Sequence, residues 1–165
     1  MTEKIADFLI NLPSEVVIIV LAMLPVVELR GAIPWGIFAL KMDWYYVYIL
    51  SVIGNLLPVP FILFLLEPAQ NLLNRWKFAN RFFTWLFNRT RRRGGIIEKY
   101  RALGLILFVS VPLPITGAWT GSVAAHIFGI PRQKAFLSIM LGVMIAGFVV
   151  STLCILGIAF TGLVT

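Results

Sequence analysis

The stretch PVVELRGAIP, residues 25–34, interrupts an otherwise apolar run from Val16 to Leu40 and sets an ionisable pair, Glu28 and Arg30, between two prolines. Each proline removes a backbone donor and Gly31 adds freedom between Pro25 and Pro34, so a continuous helix is not expected here. Both charges stand near the centre of the run, too far from its ends to snorkel to water. At the middle of a membrane helix each costs about 2.5–3.5 kcal/mol, so a chain keeps such residues only where they are paired or watered. Positions i and i+2 do not face each other on a regular helix, but a turn between the prolines brings them together. Two roles follow. The pair locks the turn, or Arg30 attracts an anionic group while Glu28 exchanges a proton. The second is the default reading of ionisable groups at membrane depth.

Composition places that run in a bilayer. The 165 residues are 60% hydrophobic and 13% charged, with a mean hydropathy of +0.95, against about 45–50% apolar residues in soluble domains. A soluble chain of this size still exposes about a third of its unfolded surface, which these few charges do not cover. The length fits one transmembrane domain over residues 1–165, with two pseudo-repeat halves, 1–69 and 70–165. Residues 1–14 carry Glu3 and Asp7 without a basic leader and do not read as a signal peptide. The single cysteine, Cys154, excludes an internal disulfide and a multi-cysteine metal site. The net charge of +7 comes from basic residues interleaved with Trp and Phe, which suits anionic lipid headgroups and not nucleic acid.

The second apolar region, Trp44–Leu66, is long enough to span, with Pro58 and Pro60 expected to kink it beside Asn55 by freeing the carbonyls of Gly54 and Leu56. Residues 70–101 alternate Leu, Trp and Phe with Arg and Lys, as an interfacial amphipathic helix would; Ile5, Phe8, Leu9 and Leu12 propose another near the start. Arg89, Arg91, Arg92 and Arg93 are candidate headgroup contacts, on the cytoplasmic side by the positive-inside rule. The third region, residues 103–130, is broken by VPLPITGAWTG (111–121), and the fourth, residues 135–163, spans without proline. The same order, interfacial helix, broken region, link and span, thus occurs twice, the pattern of an internal repeat.

A broken region either crosses with a kink or turns back as a re-entrant hairpin. If both turn back and the basic middle is inside, Arg132 and Lys134 are inside too, leaving only Lys4 and Lys41 outside. If all four regions cross, Arg132 and Lys134 move outside, so charge favours the hairpins. They would enter from opposite faces as an inverted repeat. The fold class expected is therefore an all-α integral membrane protein with two re-entrant hairpins, two spanning helices and interfacial helices.

In the second break Pro112 and Pro114 free backbone carbonyls, Thr116, Trp119 and Thr120 add donors, and Gly117 permits close backbone approach. A polar gate and a tight helix-packing turn weigh equally there. His126 is the only histidine, which excludes a multi-histidine metal site and leaves it as a proton relay or a buried polar contact. No nucleotide loop, metal motif or complete nucleophile–base set points to an enzyme or a cofactor.

The strings ELRGAIP (28–34) and PLPITGAWTGS (112–122) resemble the two signature motifs of the bacterial and archaeal small multidrug export protein family, and the resemblance covers nearly the whole chain. That family is regarded as a distant relative of the DedA superfamily, whose opposed re-entrant hairpins are linked to lipid movement. The resemblance implies export across the cell membrane of a bacterium or archaeon. It points at Glu28, Arg30 and Pro34 in one hairpin and Pro112, Pro114, Thr116 and Gly117 in the other. DedA members place arginine in the second motif; this chain has none there, so Arg30 would act alone or with backbone donors. The leading expectation is a secondary transporter or flippase. Its partners are membrane lipids, protons and a small amphiphilic substrate, a lipid phosphate or a drug, and two spans are few enough to leave room for a homodimer. The alternative is a scaffold that organises lipids or partners.

Overall fold

Pro25 forces Leu24 into extended backbone, ψ 133°, because a residue before proline is crowded out of the helical region. The first helix, α1 (Ser14–Met23), ends there. The computed structural model describes residues 13–73, 96–112 and 116–164. Among these, the chain continues as α2 (Glu28–Pro34), a π-helical stretch (Trp35–Ala39), α3 (Trp44–Leu56), α4 (Pro58–Leu73), α5 (Ile96–Ser110), α6 (Ala118–Ile127) and α7 (Arg132–Val164), with no strand among the described residues. The expected interfacial helix near the start and residues 74–95 of that in the basic middle lie outside them.

Three expectations are corrected. The first break is only residues 24–27, not the whole of 25–34, and helix resumes at Glu28, since Glu, Leu, Arg and Ala are good helix formers. Pro34 sits inside helix and hands over directly to the π-helical stretch; this wider turn accommodates the interrupted bonding, with Leu40 N–H donating to the Trp35 carbonyl at 3.1 Å. The third region starts as helix at Ile96 rather than at 103. The kink expected at Pro58 is a one-residue turn at Leu57, after which α4 runs past Leu66 to Leu73.

Trp44–Leu66 and Arg132–Gly157 are long and apolar enough to cross a membrane, with mean hydropathies of 2.4 and 2.6, and less than half of either is covered by protein. Phe61, Phe64, Leu107 and Phe148 are all more than 60% exposed, a surface suited to lipid and not to water.

The chain forms two compact units, one of residues 1–55 and 147–165 and one of residues 56–146. In the first, α1 and α2 form an antiparallel hairpin. Gly36, beyond α2, lies against Ile18 of α1 and Val47 of α3, so closely that a Cβ there would come within 2.9 Å of both side chains. Gly54 of α3 lies on the Ile19 carbonyl and on Ala22. In the second unit α6 packs on both α4 and α5. Arg101 Nη1 donates to the Phe128 carbonyl at 2.8 Å, Gly121 packs on Val109, and Gly142 lies on the Ile106 carbonyl and Val109.

The buried positions repeat in spacing. Buried in the first unit are Ile18 and Ala22, then Leu29, Ala32, Ile33 and Gly36, then Val47, Ser51, Gly54 and Asn55; buried in the second, at the same spacings, are Leu105 and Val109, then Ala118, Gly121, Ser122 and Ala125, then Ala135, Ile139, Gly142 and Val143. Each hairpin arm therefore buries one helical stripe and each following helix another. Small residues let the backbones touch, the packing mode that works where lipid supplies no hydrophobic drive. Gly104, by contrast, has no atom within 4 Å of an added Cβ. Gly104→Ala is expected to be accepted and to raise stability by about 0.5–1 kcal/mol through helix propensity, seen as a higher Tm in detergent.

Candidate functional site

The tip of the first hairpin is closed by Glu28 N–H donating to the Leu24 carbonyl at 2.9 Å and Gly31 N–H to that of Val27 at 3.0 Å. Closing so short a turn places Glu28 at φ 48°, a left-handed conformation that costs a non-glycine residue about 1–3 kcal/mol and persists only where its surroundings enforce it. The same departure from helical geometry lets a residue pair two apart meet: Arg30 Nη2 lies 3.7 Å from Glu28 Oε2, with the carboxylate side chain 7% and the guanidinium side chain 20% exposed. A Cβ at Gly31 would run into the Val27 side chain, so glycine there lets the tip fold tightly. Pro34 has no N–H for the carbonyl of Arg30.

The first unit also carries Asn55, 1% exposed, at the end of α3. Neither atom of its carboxamide has a hydrogen-bond partner among the described residues, and the same holds for the Ser51 hydroxyl one turn earlier and for the Ser151 hydroxyl on α7. The structure thus places Glu28, Arg30, Gly31, Pro34 and Asn55 in one unit. The sequence reading named Asn55 but passed over Ser51 and Ser151. The signal that could have found Ser51 is its i, i+4 spacing to Asn55 in an otherwise apolar helix.

The second break lies in the other unit. Past Ser110, Val111 N–H still donates to the Leu107 carbonyl at 3.2 Å. Thr116 Oγ1 donates to the Val111 carbonyl at 2.7 Å, drawing the two ends of the break together. Gly117 N–H then donates to Thr120 Oγ1 at 3.0 Å, capping α6. Pro112 is half-buried, as are Trp119 and His126 on α6; Pro114 lies outside the described residues, as do Arg89, Arg91, Arg92 and Arg93. Thr116 and Thr120 thus have structural bonds of their own, and no acid or base accompanies them in the break.

Between α5 and α6 runs a groove of about 410 Å³ lined by Arg101, Gly104, Leu105, Phe108, Ala124 and Phe128, within the size range of small-molecule sites. One end carries a guanidinium and the walls are apolar, a polarity suited to an amphiphile. Nothing in the sequence pattern had singled out Arg101, because its partner, the Phe128 carbonyl, lies 27 residues away. Among the described residues no group of His, Cys, Asp and Glu could hold a metal ion.

The family model described as "Putative small multi-drug export protein" matches residues 28–149, starting at Glu28, just past the first break, and taking in the second. No curated protein and no solved structure matches the chain.

Proposed function

The chain belongs to the small multi-drug export family, and from that premise we propose that it is a secondary transporter moving an amphiphilic substrate across the membrane, with Glu28 and Arg30 coupling the movement to protons. The observation that carries this reading is an ion pair of low exposure at a backbone-strained tip. Strain and a buried charge are both costs that a purely structural turn avoids by using glycine. A proton on Glu28 releases Arg30 for an anionic headgroup; loss of that proton restores the pair and releases the headgroup. Binding and protonation are thereby linked through one guanidinium.

Arm length supports a re-entrant placement. α1 has 10 residues and α2 with the π-helical stretch has 12, reaching about 15–18 Å at roughly 1.5 Å per residue, or about half of a 30 Å hydrocarbon core. In this proposal both hairpins dip to mid-membrane from opposite faces, in the manner of DedA proteins, and two copies complete the pathway. The groove beside Arg101 favours a substrate with an anionic head and an apolar body, a lipid phosphate rather than a cationic drug.

Single cysteines at Lys41, Gly94 and Gln133 in a Cys154→Ala background test the topology: re-entrant hairpins put positions 94 and 133 on one side of the membrane and 41 on the other. Labelling of 133 from the side opposite 94 would overturn it. Function is tested in liposomes containing only this protein, where an imposed pH gradient should drive amphiphile flux. Absence of flux for every amphiphile at several pH values would favour the scaffold.

A further inference from the structure

Serines within apolar helices ordinarily donate back to a carbonyl three or four residues earlier. Ser110 does so to Leu107, Ser122 to Ala118 and Thr152 to Phe148. Ser51 does not, and its hydroxyl is fully buried without a partner among the described residues, one turn from the equally orphaned carboxamide of Asn55. Pro58 has no N–H to offer the Gly54 carbonyl at the same level. Two polar side chains one turn apart on α3 are therefore open among the described residues, in surroundings where each unmet group costs about 1–3 kcal/mol.

The fold does not need them. At the matching positions of the second unit, Ser51 and Asn55 are replaced by Ile139 and Val143, buried on the same stripe of α7. Only the unit that holds Glu28 has polar groups at these positions. Gly54 sets their level, since it lies on Ile19 and Ala22 in the last turns of α1, just before the tip whose Leu24 carbonyl accepts from Glu28 N–H.

The open atoms also state what they can bind. Asn55 presents both an acceptor and a donor, and Ser51 a hydroxyl that is either. A bare cation would satisfy the oxygens and leave the amide N–H groups unmet; a bare anion would do the reverse. Water serves both, and internal waters characteristically make about three hydrogen bonds to such otherwise unmet groups. We propose that Ser51 and Asn55 hold internal water beneath the hairpin tip, and that Glu28 exchanges its proton through it. The second clause rests on the proton role of Glu28; the hydration does not.

Cysteine chemistry separates the two. Only a hydrated thiol ionises and reacts with a methanethiosulfonate. In a Cys154→Ala background, Ser51→Cys and Asn55→Cys are expected to react with methanethiosulfonate-ethylammonium at least ten times faster than two controls on the same helix, Val47→Cys, buried and apolar, and Ile53→Cys, exposed on the apolar surface. Reaction no faster than the controls means a dry site and overturns the proposal. Thermal melting of Asn55→Val, the residue the twin unit uses, gives a second reading: a higher Tm than wild type means the carboxamide was unsatisfied and dry, while an unchanged or lower Tm supports bound water. The proton route is read by infrared spectroscopy at low pH, from the carboxyl band that disappears in Glu28→Gln. Its exchange in D2O should slow at least tenfold in Asn55→Val, and unchanged exchange would overturn the relay. None of these measurements requires transport, so their failure is distinct from a failure to transport.

Discussion

Gly54→Val is expected to yield no folded protein, or a Tm at least 10 °C lower where some survives. A Cβ at this position would lie 2.6 Å from the Ile19 carbonyl oxygen and 3.0 Å from the Ile19 Cα. Both are backbone atoms of α1, so no rotamer change relieves the clash. α1 and α3 would have to move apart, opening the stripe formed by Ile18, Ala22 and Val47. Overpacking a closed core costs about 1–3 kcal/mol when side chains can give way, and more when backbone must move, set against a total of about 5–15 kcal/mol. Gly142→Val should behave alike in the second unit, where the clash is with Val109 at 2.6 Å and the Ile106 carbonyl at 3.0 Å. A wild-type melting curve for Gly54→Val would show that α1 and α3 do not pack as described. The contrast with Gly104, a glycine with open space around it, makes the pair of experiments a test of packing rather than of glycine content.

The second large effect is on activity. Glu28→Gln is expected to reduce pH-driven flux at least tenfold and to abolish its dependence on the gradient, while leaving a folded protein, because the amide keeps the shape of the carboxyl and cannot titrate. Unaltered coupled flux in this variant would sink the proton role. Arg30→Met alone leaves a buried carboxylate without its guanidinium; breaking such pairs costs about 3–5 kcal/mol at full burial, and less here, where the Arg30 side chain keeps a fifth of its surface. The double change Glu28→Gln with Arg30→Met should therefore melt higher than Arg30→Met alone. Glu28→Gly adds a sharper discrimination. Like Glu28→Gln it leaves Arg30 without its carboxylate, but it also lifts the penalty for φ 48°, so a variant that melts higher than Glu28→Gln and likewise lacks coupled flux is the expected outcome. Stability sacrificed at a working residue is the usual sign of such a trade.

Membrane residence and the places where helix fails were legible in the residues themselves. Hydropathy over 20 residues and the backbone chemistry of proline are local properties, and Trp44–Leu66 and Arg132–Gly157 needed nothing more to be identified as long apolar helices. Local chemistry also singled out Glu28 and Arg30, because charge inside an apolar run is costly wherever the run is placed. What the sequence could not give was the extent of each break. Prolines at 25 and 34 marked ten residues as irregular, yet the chain needed only four to turn, since a left-handed Glu28 closes the tip and a π-helical stretch takes up Pro34. Those are choices among nearly equal local conformations, and the contacts of the hairpin with the following helix select between them. The packing glycines were likewise invisible: Gly54, Gly104 and Gly142 are equivalent in sequence, and only the neighbour each meets distinguishes a contact from open space. So was the exchange of Ser51 and Asn55 for Ile139 and Val143, because the two stripes can be aligned only once the helices that bury them are known. The sequence by itself determined that this chain lives in lipid, breaks twice and carries a charge pair beside the first break. The tertiary structure decided which polar groups are buried without a partner, because burial is a property of what packs around a residue and not of the residue.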